Sequence, residues 1–174
     1  MKQLLSLLLC LSIIVPSMAK KEQRKQNVFP DGTPISEWFL QTKVVHPDSL
    51  GKKYDLSDYG IESNPHIVQT QKIQKIIDEA AANGGGVIYI PEGIYKSGSL
   101  FFKQGTHLYL SKGATLLGSE NIMDFPLLMT RIEGEYCKYF GALINADGLD
   151  TFTISGKGTI DGNGTPYWLS LIHI

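Results

Sequence analysis

One short motif recurs along this 174-residue chain at a spacing that few folds accommodate. Gly86-Val-Ile-Tyr-Ile-Pro-Glu-Gly93 is echoed twenty residues later by Thr106-His-Leu-Tyr-Leu-Ser-Lys-Gly113. A third version, Asp150-Thr-Phe-Thr-Ile-Ser-Gly156, starts forty-four residues after the second. Each copy reads as a short strand with apolar residues at alternate positions, closed by a glycine turn. A period of roughly 20–25 residues marks a solenoid, in which no repeat can bury its own apolar face and each must stack on its neighbour. Parallel strands stacked through short turns make a β-helix, each coil hydrogen-bonding to the next.

In such a stack Ile88, Leu108 and Phe152 hold equivalent positions, as do Ile90, Leu110 and Ile154. Both sets are expected to point inward, with Tyr89, Tyr109 and Thr153 alternating to the outer face. Fifteen of the 18 glycines lie from Gly84 onward, where these strands begin. Tyr54 to Gly60 reads as an earlier short strand ending in a turn. Then Ile67, Thr70, Ile73, Ile76, Ile77, Ala80 and Ala81 recur at three-to-four spacing, with Lys72, Lys75, Asp78 and Glu79 opposite. This pattern predicts an amphipathic helix over about 65–83, capped by Asn64 with Pro65 in its first turn and stopped by Gly84-Gly-Gly86. Such a helix suits a plug over the first coil, whose strand edges and apolar side chains otherwise face water. Residues 119–141 break the repeat, and Met123 to Gly141 are expected to leave the solenoid as a long loop. A rigid scaffold commonly carries its binding residues on such excursions.

Residues 1–19 have the pattern of a signal peptide: Lys2, an apolar core from Leu4 to Val15, and Ser17-Met18-Ala19 as a small-x-small cleavage site. The apolar run is short for a bilayer span and no stop-transfer pattern follows, so export without a stable membrane anchor is expected. Cys10 sits among leucines as hydrophobic filler. Residues 20–53 form an N-terminal extension: a polar stretch to Gln26, a turn at Phe29-Pro-Asp-Gly-Thr-Pro34, then Trp38 and Phe39, expected to pack the extension onto the body. Without residues 1–19 the chain has 15 basic and 17 acidic side chains, which argues against non-specific nucleic-acid binding. It also keeps one cysteine, Cys137, so no intrachain disulfide forms.

The pieces occur in a specific order. Asp58-Tyr-Gly60 precedes the helix, then come Gly84-Gly-Gly-Val-Ile-Tyr-Ile-Pro-Glu-Gly93 and Ser97-Gly-Ser-Leu-Phe-Phe102. Leu108-Tyr-Leu110, Gly113-Ala-Thr-Leu-Leu-Gly-Ser119, Gly156-Lys-Gly-Thr-Ile-Asp-Gly-Asn-Gly164 and Trp168 follow. This combination resembles the N-terminal third of glycoside hydrolase family 28, the polygalacturonases and their relatives on pectin. The resemblance covers about residues 54–168, and the Phe29-Pro-Asp-Gly32 extension resembles Bacteroides-type members. It implies an all-β, right-handed parallel β-helix of the pectin-lyase-like kind with an N-terminal capping helix. It further implies inverting hydrolysis of α-1,4 bonds in polygalacturonan, or of rhamnogalacturonan in relatives. The enzyme would be exported to a bacterial periplasm or beyond, need no cofactor, act on an acidic plant polysaccharide and be monomeric at full length. The family's Asn-Thr-Asp, Asp-Asp, Gly-His-Gly and Arg-Ile-Lys segments do not occur here. No catalytic residue is therefore assigned. Residues 54–168 are expected to be the N-terminal part of the β-helix domain, with the catalytic residues downstream. Leu169 to Ile174 depart from the family pattern and read as a non-native tail.

Two-carboxylate hydrolysis needs an acid and a base in register. Asp161 sits at a strand end, but Asp161-Gly-Asn-Gly164 is an ordinary turn sequence with the aspartate capping its own backbone. Asp55 and Asp58 are expected to cap or pair locally, His107 to lie on the surface, and His173 falls in the suspect tail. No cluster has metal-ligand spacing. The segment from Arg131 to Tyr139 holds the candidate substrate-binding residues: Arg131 and Lys138 for uronate carboxylates and Tyr136 to stack on a sugar ring. The competing readings are a β-helix polysaccharide lyase, using calcium and a basic residue, and a non-catalytic polysaccharide-binding β-helix. Mass spectrometry of the secreted protein is expected to find Lys20 at its N-terminus; an intact Met1 terminus contradicts the export reading.

Overall fold

The computed structural model describes residues 28–40 and 45–166, which fall in two units. The expected signal peptide and tail, with Cys10, Trp168 and His173, lie outside the described residues. In the first unit a bridge joins Val28 and Pro34 around the Pro-Asp-Gly turn. The Asp31 carboxylate closes that turn by accepting the Thr33 N–H at 2.9 Å. Trp38 and Phe39 stack on one another, centroids 3.8 Å apart.

The second unit is the solenoid. It opens with a 3-10 turn at Pro47–Leu50, strand β1 (Lys53–Asp55) and a second 3-10 turn at Leu56–Tyr59. Asp55 caps that second turn through Ser57. Strand β2 (Asn64–Val68) follows, then helix α1 (Thr70–Ala82). The helix therefore starts five residues later than the sequence predicts. Asn64 does cap, but its carboxamide accepts the N–H of His66 in an extended turn, and β-branched Ile67 and Val68 continue as a strand rather than a helix. The helix end matches expectation. The N–H groups of Gly84 and Gly85 return to the carbonyls of Ala81 and Ala80, the paired closure made possible by Gly84 at φ +89°.

After the helix each coil runs through three short strands. The first is β3 (Gly86–Ile90), β4 (Gly93–Ser97) and β5 (Leu100–Phe101). The second begins with β6 (Thr106–Leu110) and β7 (Ala114–Gly118). The chain then departs as an antiparallel hairpin, β8 (Leu127–Ile132) and β9 (Glu135–Phe140), and rejoins at β10 (Ile144–Asn145). Strands β11 (Ile154–Gly156) and β12 (Thr159–Asp161) follow. The stacked sheets read β1-β3-β6-β11, β12-β7-β4-β2 and β10-β5, with parallel pairing throughout. This is a right-handed parallel β-helix, the hand that right-twisted strands favour. The hairpin explains why the third copy of the motif comes so late.

Inside, Tyr54, Ile88 and Leu108 stack in register, and Ile90 pairs with Leu110, all of them buried. The third tier differs from the sequence reading. Ile154, not Phe152, pairs with Leu108, and Gly156 takes the place beside Leu110. The cause is local: a Cβ at position 156 would overlap the Leu110 carbonyl oxygen, so the tightest approach of the two coils belongs to a glycine. Phe152 instead tilts against Phe102, centroids 4.9 Å apart.

Helix α1 covers the first coil with Ile73, Ile76, Ile77 and Ala80, each at most 2% exposed. Its polar residues finish the seal. The Gln74 carboxamide both donates to the Phe101 carbonyl (2.9 Å) and accepts from the Phe101 N–H (2.8 Å). One side chain thus replaces a missing neighbouring strand at β5. Thr70 accepts the Gly98 N–H and Lys103 pairs with Asp78 at 2.8 Å. Among the described residues no helix is long and apolar enough to cross a membrane. Replacing Ile76 by Ala is expected to cost about 2–5 kcal/mol in chemical denaturation. Gln74→Ala, which leaves two part-buried backbone groups of Phe101 unpaired, should cost about 1–3 kcal/mol. Unchanged stability in Ile76→Ala would mean that the helix is not a plug.

Candidate functional site

The segment read from sequence as a long loop is an ordered hairpin. Its strands are six residues each, paired across Glu133-Gly134, a two-residue turn with both residues at positive φ (52° and 94°). Cross-strand register decides which side chains share a face. Arg131 lies opposite Tyr136 and Met129 opposite Lys138, so Arg131, Tyr136 and Lys138 fall on one face with Leu127, Met129 and Phe140. The structure thus brings together all three residues proposed from the sequence. Tyr136 is 78% exposed, and the Arg131 Nε donates to the Gly134 carbonyl (3.2 Å), bracing the turn. Neither Arg131 nor Lys138 is ion-paired among the described residues, so both charges face solvent and any arriving anion. An arginine and a lysine beside an exposed aromatic ring are suited to a carboxylated sugar.

At the hairpin base lies an open groove of about 820 Å³ whose lining includes Glu120, Phe125, Tyr139, Phe140, Leu143 and Gly162. Tyr139 and Phe140 meet edge-on, centroids 5.8 Å apart. Glu120 is held from below by Lys96, whose Nζ lies 2.9 Å from one carboxylate oxygen and 2.8 Å from the other. Lys96 is 6% exposed although it alternates to the outer face of β4, because its stem runs beneath the segment after β7. That hydrogen bond holds the Glu120 carboxyl below its ordinary range. Asn163, at φ +49°, donates to the Gly118 carbonyl (3.1 Å) and approaches Glu120 at 3.5 Å. Ser119 hydrogen-bonds the Asp124 carboxylate, pinning the turn where the hairpin departs. Sequence reasoning missed this groove because its walls come from positions 120, 139–143 and 162, which only the coil brings together.

Asp55 and Asp161 cap locally as expected, whereas Asp58 makes no hydrogen bond or ion pair of its side chain among the described residues. Asp161 caps its own turn by accepting the Asn163 N–H at 2.8 Å. Asp55 accepts from Ser57 and pairs with Lys53 at 3.0 Å; burial raises its carboxyl, but these bonds outweigh burial and leave it below its ordinary range. His107 is half-buried on the outer face rather than fully at the surface, and burial lowers its imidazole below the usual range. Among the described residues no group of three or more metal-ligating side chains forms.

No family model matches the chain. Over 147 residues, 80% of this chain and 24% of the relative, it is 33% identical to an exo-poly-alpha-D-galacturonosidase of Dickeya chrysanthemi. Over 129 residues, 72% of this chain and 17% of the relative, it is 37% identical to plasmin and fibronectin-binding protein A of Streptococcus pneumoniae. A solved family 28 exopolygalacturonase of Yersinia enterocolitica superposes with a TM-score of 0.57 at 33% identity, covering 64% of this chain and 21% of that one. The chain spans about a quarter or less of the length of these proteins.

Replacing Lys96 by Met should return the Glu120 carboxyl toward its ordinary value, near 4.3. The sign follows from the depressed folded-state value: the pair's contribution to stability is complete above the unfolded pKa and fades as pH falls through the folded one. NMR titration of the Glu120 side chain checks this, and an unchanged titration in Lys96→Met contradicts the pairing.

Proposed function

The chain is glycoside hydrolase family 28-like in sequence and fold, and from that premise we propose that it is the N-terminal portion of an exported, pectin-degrading glycosidase. The observation that carries this reading is the 33% identity over 147 residues to an exo-poly-alpha-D-galacturonosidase. The hairpin supports it independently, because Arg131 and Lys138 share a face with exposed Tyr136.

In the proposed reaction, water attacks the anomeric carbon from the face opposite the leaving sugar, inverting its configuration. One carboxylic acid protonates the leaving oxygen and a second carboxylate, roughly 6.5–9.5 Å away, takes a proton from the water. Both come from coils beyond this chain, and no cofactor is needed. The residues of this chain supply position. The basic hairpin face neutralises uronate carboxylates and the β-helix holds that face rigidly beside the polymer.

A second reading has its own observation. The 37% identity to plasmin and fibronectin-binding protein A favours a non-catalytic adhesive β-helix, with the same hairpin as a contact surface. Incubating the full-length protein with polygalacturonan and measuring reducing ends separates the two. Hydrolysis is expected from the full-length protein and none from the 174-residue chain alone. Arg131→Ala and Lys138→Ala should each weaken acidic oligosaccharide binding about tenfold, the loss of one charge-assisted hydrogen bond, and neutral oligosaccharides far less. Absence of hydrolysis together with equal effects on acidic and neutral sugars favours the adhesive reading.

A further inference from the structure

We infer that the groove at the hairpin base is a subsite for a neutral, hydroxyl-rich sugar residue, distinct from the basic hairpin face. The inference rests on the polysaccharide reading above and adds a second chemistry to it. The groove, about 820 Å³, has the size of a small-ligand site, roughly 300–1,000 Å³. One wall is aromatic: Tyr139 is 55% and Phe140 37% exposed, both more than packing needs require. A sugar presents an apolar C–H face that covers such rings, and a rim of hydroxyls that need acceptors.

Glu120, in the lining of the same groove, supplies those acceptors. Lys96 contacts both carboxylate oxygens and Asn163 reaches one of them at 3.5 Å, while the Glu120 side chain is half exposed and keeps accepting capacity toward the groove. An ionised carboxylate accepts and never donates, so it suits the hydroxyls of a sugar and offers a uronate carboxylate no donor. No lysine or arginine lines the groove among the described residues. Position along the hairpin sets the two surfaces apart: Arg131 and Tyr136 lie beside the turn, whereas Tyr139 and Phe140 lie at the hairpin base, Tyr139 on the face opposite the basic residues and Phe140 on the same one. The hairpin would then read a polymer twice, by its charged units along the basic residues and by an uncharged unit at the base.

The test is isothermal titration of the full-length protein with α-1,4-linked galactotriose and with trigalacturonate, which differ only in their carboxylates. Tyr139→Ala should weaken galactotriose binding at least about tenfold and change trigalacturonate less than about twofold, with Arg131→Ala doing the reverse. Glu120→Gln, which keeps the shape and removes the charge, should narrow the discrimination against the uronate in the groove. Galactotriose that fails to bind the wild type, that binds Tyr139→Ala as well as the wild type, or that is weakened equally with trigalacturonate overturns the inference. If trigalacturonate fails to bind while Tyr139-dependent galactotriose binding persists, the polygalacturonan reading falls and the groove assignment stands.

Discussion

Everything in this molecule hangs on strand-over-strand stacking of coils that cannot bury their apolar residues alone. Tyr54, Ile88 and Leu108 form one continuous inward column, and each member is hidden only because its neighbours are in place. Such a stack has an exposed first tier by construction. Helix α1 resolves this in two ways at once. Its isoleucines cover the apolar interior and the Gln74 carboxamide meets the backbone of β5 where another strand would have paired. A helix with the same apolar face and no residue at 74 able to both donate and accept would seal the core but leave that edge unpaired.

The same coils also hold the hairpin at both ends. Its departure is fixed by the Ser119–Asp124 hydrogen bond and by the cap that Asn121 places on Met123, and its return by the β5–β10 pairing. Between these anchors two strands carry a basic face and, at their base, an aromatic groove. The buried Lys96 beneath Glu120 ties that groove to the coil: the carboxylate is oriented by a charge held on the outer face of β4. A ligand-binding element placed on stacked coils loses little freedom on binding, which is what makes a small surface useful to a polymer-binding protein.

Much of this architecture was legible in the sequence. Apolar alternation located β3 and β6, and the Gly84 stop located the end of α1. The failures have physical causes. Asn64-Pro65 fits a helix cap and an extended turn equally well, and the strand wins because it pairs with β4. The third tier slipped by two residues, a shift that preserves the buried face and is therefore invisible to a period-two pattern; contact with the Leu110 carbonyl decides it. Arg131, Tyr136 and Lys138 were found by chemical type, and their common face follows from register. Glu120 and Tyr139 were missed because nineteen residues of chain separate two walls of one groove.

The central claim is that a hairpin held on rigid coils is the element of this chain that meets the polysaccharide. Hydrogen–deuterium exchange of the full-length protein, with and without saturating oligogalacturonide, tests it directly. The account predicts that added protection within this part of the protein concentrates in residues 127–140, with the outer faces of β3 and β6 unchanged. Saturated binding that leaves 127–140 as exchangeable as before would contradict it.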